Sequence, residues 1–389
     1  MYNRLIIIHY HEIGLKGGNR AWFERHLLRN VEHALKGLPH GGVRRISGRL
    51  LLCLHEDSPV SAITDRLRYV FGIAYVSEAV AVRQEMGAIK EAAWDLLQTR
   101  AFISFKVETK RSNKAFPLTS PQINAEVGAY LKERSGARVD LDHPDLTCSL
   151  EIVEKYALLS VDRIDGPGGL PVGVSEKAVV LLSSGIDSPV ASYRMMKRGV
   201  TLVFVHFHSA PYTSKASQRN AERLVHVLTR YQFTSVLYLV PFIDIQREIM
   251  IETPTPSRVI LYRRAMVRLA TLIARCEGAA ALVTGENIGQ VASQTLSNIA
   301  VIEEMTPLPI LRPLAGDDKG EIIRMAQRID TYDISIEPYE DCCSLFVPEH
   351  PETRANLEEV KAVESRLDLE ALIQKAIDNA ERKMIEWKP

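Results

Sequence analysis

Apolar positions follow two different rhythms along this chain, and the change comes near residue 177. Before it, residues 4–10 (RLIIIHY) predict a strand, 19–37 a helix, 43–55 two short strands around Ser47-Gly48, 58–69 a helix and 72–82 a strand. Residues 85–98 predict a helix, 101–109 (AFISFKVET) a strand, 120–134 a helix, and 148–153 and 155–162 two further strands. This mixture, without parallel strand–helix repeats, predicts α+β units. Asp165–Gly173 (DGPGGLPVG) is the densest Gly/Pro run and predicts a linker. From Lys177 onward strands near 178–183, 201–207, 234–240 and 280–284 alternate with helices near 188–198, 214–230, 256–277 and 318–330. That alternation predicts an α/β doubly wound parallel sheet, with its ligand beyond the strand carboxyl ends, where Ser183 lies. Residues 355–386 predict an amphipathic helix. The resulting division is 1–59, 60–165, a linker at 166–176, and 177–389.

Composition narrows the class. The chain has 389 residues, 46% of them hydrophobic, enough for two or three well-cored domains. It has no apolar run of about 18 residues, so neither a membrane span nor a membrane partner is expected. The start MYNRLIIIHYHE turns polar too soon for a secretory signal. Five widely spread Cys do not form a disulfide framework and predict a reducing, cytoplasmic setting. Net charge is zero, but residues 1–170 hold 23 Lys and Arg against 20 Asp and Glu, and residues 171–389 hold 25 against 28. A basic N-terminal region joined to a mildly acidic one suits a polyanion bound mainly at one end.

The sharpest chemistry lies in Val179–Ser188, VVLLSSGIDS. A buried strand ending in small residues at a helix start turns free N–H groups and the positive helix end toward an anion. Asp187 adds a carboxylate that can hold Mg²⁺ beside phosphates. The run resembles the SGGxDS PP-loop of ATP pyrophosphatases, which hold departing pyrophosphate and transfer AMP. Ser184 stands where that pattern has Gly; its hydroxyl is available to a phosphate oxygen.

Further strings resemble one family, the tRNA 4-thiouridine synthetases, which also serve thiamine biosynthesis. They are EIGLKGGNR (12–20), VFGI (70–73), FKVETKRSNKAFP (105–117), GPGGLPVG (166–173), HFHSAPYTS (206–214), LYRRAMVR (261–268), LVTGENIGQVASQTLSN (282–298) and PYEDCCSLF (338–346). The resemblance implies ferredoxin-like, THUMP and PP-loop pyrophosphatase domains, in that order. It implies ATP and Mg²⁺ as cofactors, tRNA as a partner and a homodimer. Ser183, Ser184, Gly185, Asp187 and Ser188 would form the phosphate site. Leu181, Leu182, His206 and Phe207 would frame the adenine or ribose, and Arg263, Gly285 and Gln294 would contact ATP. Arg264 reads as a surface residue, and Lys319 as a further reach toward the phosphates or tRNA. Lys16, Arg20, Lys106, Lys110, Arg111 and Lys114 are candidate RNA contacts.

The cysteines divide. Cys53, Cys148 and Cys276 sit in apolar patterns and read as structural. Cys342 and Cys343 lie in the stretch where the family places its persulfide-bearing cysteine; the resemblance aligns that cysteine with Cys342, and Cys343 ranks second. The family also has forms with a rhodanese domain; this chain looks like one without it, so a cysteine desulfurase is the expected sulfur donor. The implied reaction converts uridine 8 of tRNA to 4-thiouridine through an adenylated intermediate. Two other readings compete. An amidating PP-loop enzyme would need neither the basic N-terminal region nor Cys342. A non-catalytic tRNA-binding protein would have no use for Asp187, Ser188, Arg263 and Cys342 together.

Overall fold

The computed structural model describes residues 3–338 and 351–388. The chain divides into two compact units, Met1–Pro171 and Val172–Pro389, and the division falls inside the Gly/Pro-rich run.

The first unit opens with β1 (Asn3–His9), α1 (Arg20–Ala34), β2 (Val43–Ile46), β3 (Arg49–Cys53), α2 (Val60–Leu67) and β4 (Tyr75–Arg83). It continues with α3 (Met86–Leu97), β5 (Ser104–Arg111), α4 (Ser120–Ser135), β6 (Arg138–Val139), β7 (Leu146–Val153), β8 (Tyr156–Ser160) and β9 (Ile164–Asp165). All its strands join one sheet in the order β2-β3-β1-β4-β8-β7-β5-β6, with β9 on β4. The first four strands have the βαββαβ, 4-1-3-2 arrangement of a ferredoxin-like unit. β1 reads as a continuous apolar run because both its faces are covered: Leu5, Ile6, Ile7 and Ile8 are all buried. Leu5, Ile7 and Leu51 share one cluster with Ala79, Val153 and Leu158, so the sheet curls and brings distant strands together. Strand alternation puts His9, Arg49, Glu151, Lys106, Glu108 and Lys110 on that same inner face.

The second unit contains β10 (Lys177–Leu181), α5 (Asp187–Met196), β11 (Thr201–His208), α6 (Ala216–Thr229), β12 (Thr234–Pro241), α7 (Ile243–Glu252) and α8 (Arg258–Glu277). Then come β13 (Ala281–Val283), α9 (Leu296–Glu303), β14 (Ile310–Leu311), α10 (Lys319–Arg328), α11 (Tyr332–Ser335), α12 (Leu357–Glu364), α13 (Leu369–Asp378) and β15 (Glu381–Glu386). The sheet order is β14-β13-β10-β11-β12-β15, parallel except for β15. The doubly wound expectation therefore holds. Strand order reverses between β10 and β13, which opens a crevice at their carboxyl ends. α7, α8, α12 and α13 cover one face through Phe242, Ile249, Tyr262, Leu269, Val360 and Ile373.

The C-terminal stretch departs from expectation. Residues 355–386 form two helices and an antiparallel edge strand rather than one helix. Trp387 against Phe233 and the β15 pairing on β12 impose the strand, although Ile385 is its one buried apolar side chain.

Candidate functional site: a phosphate loop beside an apolar cavity

The loop after β10 is folded by its own hydroxyls. The Ser183 N–H donates to Ser188 Oγ at 3.0 Å, and Ser188 Oγ donates to the Ser183 carbonyl at 3.1 Å. The Gly185 N–H donates to Ser183 Oγ at 3.3 Å. Ser184 turns the other way: its buried hydroxyl donates to the Ser217 carbonyl of α6 at 2.9 Å. The expected phosphate role for that hydroxyl is thus corrected. Ser184 is also not among the positive-φ residues, so its Cβ brings no left-handed strain. Ser184 and Gly185 lie off the cavity wall, and the Gly185 carbonyl accepts from Ser335 Oγ of α11 at 3.3 Å.

Gly285, just past β13, has a geometric cause. A Cβ there would lie 2.7 Å from the Ser188 nitrogen and 2.9 Å from Asp187 C, both backbone atoms. Its close approach is to the first turn of α5, and Gly285 also lines the cavity.

A cavity of about 510 Å³ lies between these loops and α8. It gathers Leu181, Leu182, Ser183, Asp187, Ser188, His206, Phe207, Arg263, Gly285 and Gln294. Met266, Val267, Ile302 and Ile310 add apolar wall, while Ser183, Asp187, Ser188, Thr284, Glu286 and Ser293 add polar wall. A ligand with a flat apolar part and a charged tail matches that division. The His206 ring is buried, with Nδ1 2.9 Å from the Leu182 carbonyl, which fixes its orientation.

Asp187 opens α5. Its Oδ1 lies 2.6 Å from Lys319 Nζ, and its Oδ2 accepts from Gln290 Nε2 at 3.1 Å. Lys319 begins α10, whose start is fixed by the Asp318/Glu321 capping box. The ammonium group occupies a place where a cation meets a hard carboxylate oxygen. The donor set fits Mg²⁺, which needs few protein carboxylates when phosphates supply the remaining oxygens.

Sequence reasoning missed Glu286. It is 3% exposed. Its Oε1 lies 2.9 Å from Arg263 Nη2 and its Oε2 2.8 Å from Arg312 Nε, and Thr284 Oγ1 donates to Oε2 at 2.9 Å. Burial alone would raise its pKa, but the charges of Arg263 and Arg312 hold it below the ordinary carboxylate value. A Glu directly after Gly285, just past the strand, was the available signal. Arg264 is also corrected: it is buried and pairs with Glu304 at 3.0 Å and Glu364 at 2.7 Å.

Cys342 and Cys343 lie outside the described residues. The chain after that stretch is tightly held: Asn298 Nδ2 donates to the Glu352 carbonyl at 2.7 Å, and the Ala355 N–H donates to Asn298 Oδ1 at 3.0 Å. Cys148 is buried, and burial pushes its thiol up to about 12. Cys53 is half-buried, and Cys276 is exposed, against its expected place in a core.

The first unit holds the candidate RNA contacts. Its inner face carries a polar pocket of about 430 Å³, lined by Lys106, Glu108, Lys110, His9, Glu151 and Arg163 among others. The Arg49 guanidinium binds Glu151, and His9 Nε2 lies 3.1 Å from the same carboxylate. Burial, helped by the Arg49 charge, lowers the His9 pKa to about 3. Lys114 is exposed, whereas Arg111 donates to the Lys114 and Phe116 carbonyls at 2.9 and 3.2 Å and so braces its own loop. Lys16 lies over Phe23, and Arg20 pairs with Glu24 at 2.9 Å and donates to Tyr10 at 3.0 Å. Among the described residues no helix is long and apolar enough to cross a membrane.

Comparison with known proteins matches the chain along nearly its whole length. Residues 173–369 match the family model described as thiamine biosynthesis protein (ThiI), residues 5–77 a ThiI ferredoxin-like domain and residues 84–162 a THUMP domain. The protein named "Probable tRNA sulfurtransferase" of Moorella thermoacetica is 47% identical over 99% of this chain and 98% of its own length. Its namesake from Thermus thermophilus is 45% identical over 100% and 95%. The crystal structure of a 4-thiouridine synthetase–RNA complex with bound ATP superposes with a TM-score of 0.89 at 38% identity, covering 99% of this chain and 100% of that one. With its PP-loop unit, its ferredoxin-like and THUMP halves and relatives matched along nearly their full lengths, the chain belongs to the ThiI family of sulfurtransferases.

Proposed function

We propose that this enzyme thiolates uridine 8 of tRNA at C4, using ATP. The observation that carries the reading is the hydroxyl-folded Ser183–Ser188 loop, whose Ser183, Asp187 and Ser188 line a cavity with a large apolar wall. The names of the relatives, and the ATP and RNA in the superposed structure, support it.

A uracil oxygen is a poor leaving group. The uracil O4 attacks the α-phosphate of ATP as N3 loses its proton, and pyrophosphate departs. The positive start of α5 stabilises the charge on the leaving group. Asp187 would hold Mg²⁺, which supplies positive charge to the phosphates. Leu181, Phe207, Met266 and Val267 pack the nucleoside and keep water out. The terminal sulfur of a persulfide on Cys342 or Cys343 adds to C4 and AMP leaves. A second thiol then attacks the cysteine sulfur, closing a disulfide and leaving sulfur on C4. Once a dithiol reductant reopens the disulfide, a cysteine desulfurase passes a new sulfane sulfur to the freed cysteine, and the same relay serves thiazole synthesis for thiamine. The first unit holds the tRNA through Lys106, Lys110 and Lys114, and the protein works as a cytoplasmic homodimer.

The test incubates the protein with unmodified tRNA, ATP, Mg²⁺ and either sulfide or a desulfurase with cysteine, and follows 4-thiouridine by its near-ultraviolet absorbance. Wild type should form product in both arms. Cys342→Ala or Cys343→Ala should form it with sulfide alone. No product in any arm, with tRNA still bound, overturns the reading in favour of a binding protein.

A further inference from the structure

We propose that Glu286 is a positioning residue that sets the Arg263 guanidinium against the polar end of the cavity. The inference rests on the reading of that cavity as the ATP site.

Glu286 cannot serve a ligand directly while its present partners stay. Oε1 is held by Arg263, and Oε2 by both Arg312 and Thr284. Its two anchors differ in mobility. Arg312 is fixed from behind, with Nη1 2.9 Å from Glu303 and 3.2 Å from the Ile310 carbonyl. Thr284 is buried beside it. Glu286 therefore sits on a rigid base of charge and hydroxyl, and Arg263 is the arm it holds.

Arg263 takes its second partner from the other end of the same segment. Nη1 donates to Ser293 Oγ at 2.9 Å. One guanidinium thus spans residues 286 and 293, and the segment between them carries Gln290, which reaches Asp187. The two partners are chemically unequal. A neutral hydroxyl yields to a phosphate oxygen, whereas a buried carboxylate does not release its cation without a large desolvation cost. Glu286 is accordingly the fixed partner and Ser293 the exchangeable one. The planar fork of Arg263 keeps its orientation as phosphate replaces Ser293. A buried acid used only for folding would need one cation. Here a second cation lies deeper, and the outer one faces the cavity.

The test is a double-mutant cycle on ATP dependence. KM for ATP and kcat are measured with sulfide as the sulfur source for wild type, Glu286→Gln, Arg263→Ala and the double variant. Direct ATP binding by calorimetry runs beside them. Glu286→Gln should raise KM about tenfold and leave kcat within about threefold, since the lost interaction is one of binding. In the Arg263→Ala background the same change should cost nothing further, because the residue being positioned is gone. Thr284→Val, which removes one hydroxyl donor and no charge, should raise KM by about two- to fivefold. It decides the matter if Glu286→Gln fails to fold. Unchanged KM in folded variants, or additive effects in the cycle, overturns the proposal. Absence of ATP binding by wild type overturns the underlying reading instead.

Discussion

Two buried arginine–glutamate groups, one in each unit, use the same chemistry to opposite ends. In the first unit Arg49 and His9 converge on Glu151 inside the curled sheet, and the group joins strands β3, β1 and β7. In the second, Arg263 and Arg312 converge on Glu286, and the outer arginine lies on a cavity wall. The first arrangement closes its guanidinium away from the polar pocket that His9 and Glu151 line, and it holds the fold. The second leaves a guanidinium facing space. Burial of an ion pair does not distinguish structure from function; what matters is whether its guanidinium faces a void of ligand size.

The largest effect that would sharpen this contrast is at the cavity. Asp187→Ala should lower ATP-dependent thiolation about a thousandfold, as expected when a charge-handling group is lost, and leave tRNA affinity within about twofold. Steady-state kinetics and filter binding check both. Breaking the closed group should do the reverse. Arg49→Met leaves Glu151 without its cation and should destabilise the first unit by about 3 kcal/mol in urea unfolding, with ATP binding by the remaining native protein unchanged. Loss of ATP affinity in native Arg49→Met would break the comparison.

Acid probes the closed group more gently. Folded His9 takes a proton near pH 3, the unfolded residue near 6.5. The unfolded chain therefore binds more protons between these values. His9's contribution is complete above about pH 6.5 and is lost as pH falls toward 3, at no more than about 1.4 kcal/mol per pH unit. His9→Asn should flatten the stability profile between pH 6.5 and 5; an unchanged slope contradicts the assignment. The smallest effects belong to the open lysines. Lys106→Ala and Lys110→Ala should each weaken tRNA binding by about 1 kcal/mol and reduce its salt slope by about one.

Legibility in the sequence followed the range of the forces involved. Alternating strands and helices after Lys177 were readable because their apolar patterns are local. The Ser183–Ser188 loop was readable because its folding bonds stay within six residues. Ser184 was not, since its partner Ser217 lies 33 positions away. Arg264 looked like an ordinary neighbour of Arg263; its burial depends on Glu304 and Glu364, 40 and 100 positions distant. β15 failed for a related reason. Its composition suits a helix, and only the exposed edge of β12 makes it a strand.

The continuity of the first sheet has a metrical consequence. β4 hydrogen-bonds to β1 on one side and to β8 on the other, so no hinge separates the ferredoxin-like half from the THUMP half. Together they form a calibrated gauge with its graduations set by strand spacing. Any ligand that touched both halves would meet them at one fixed separation.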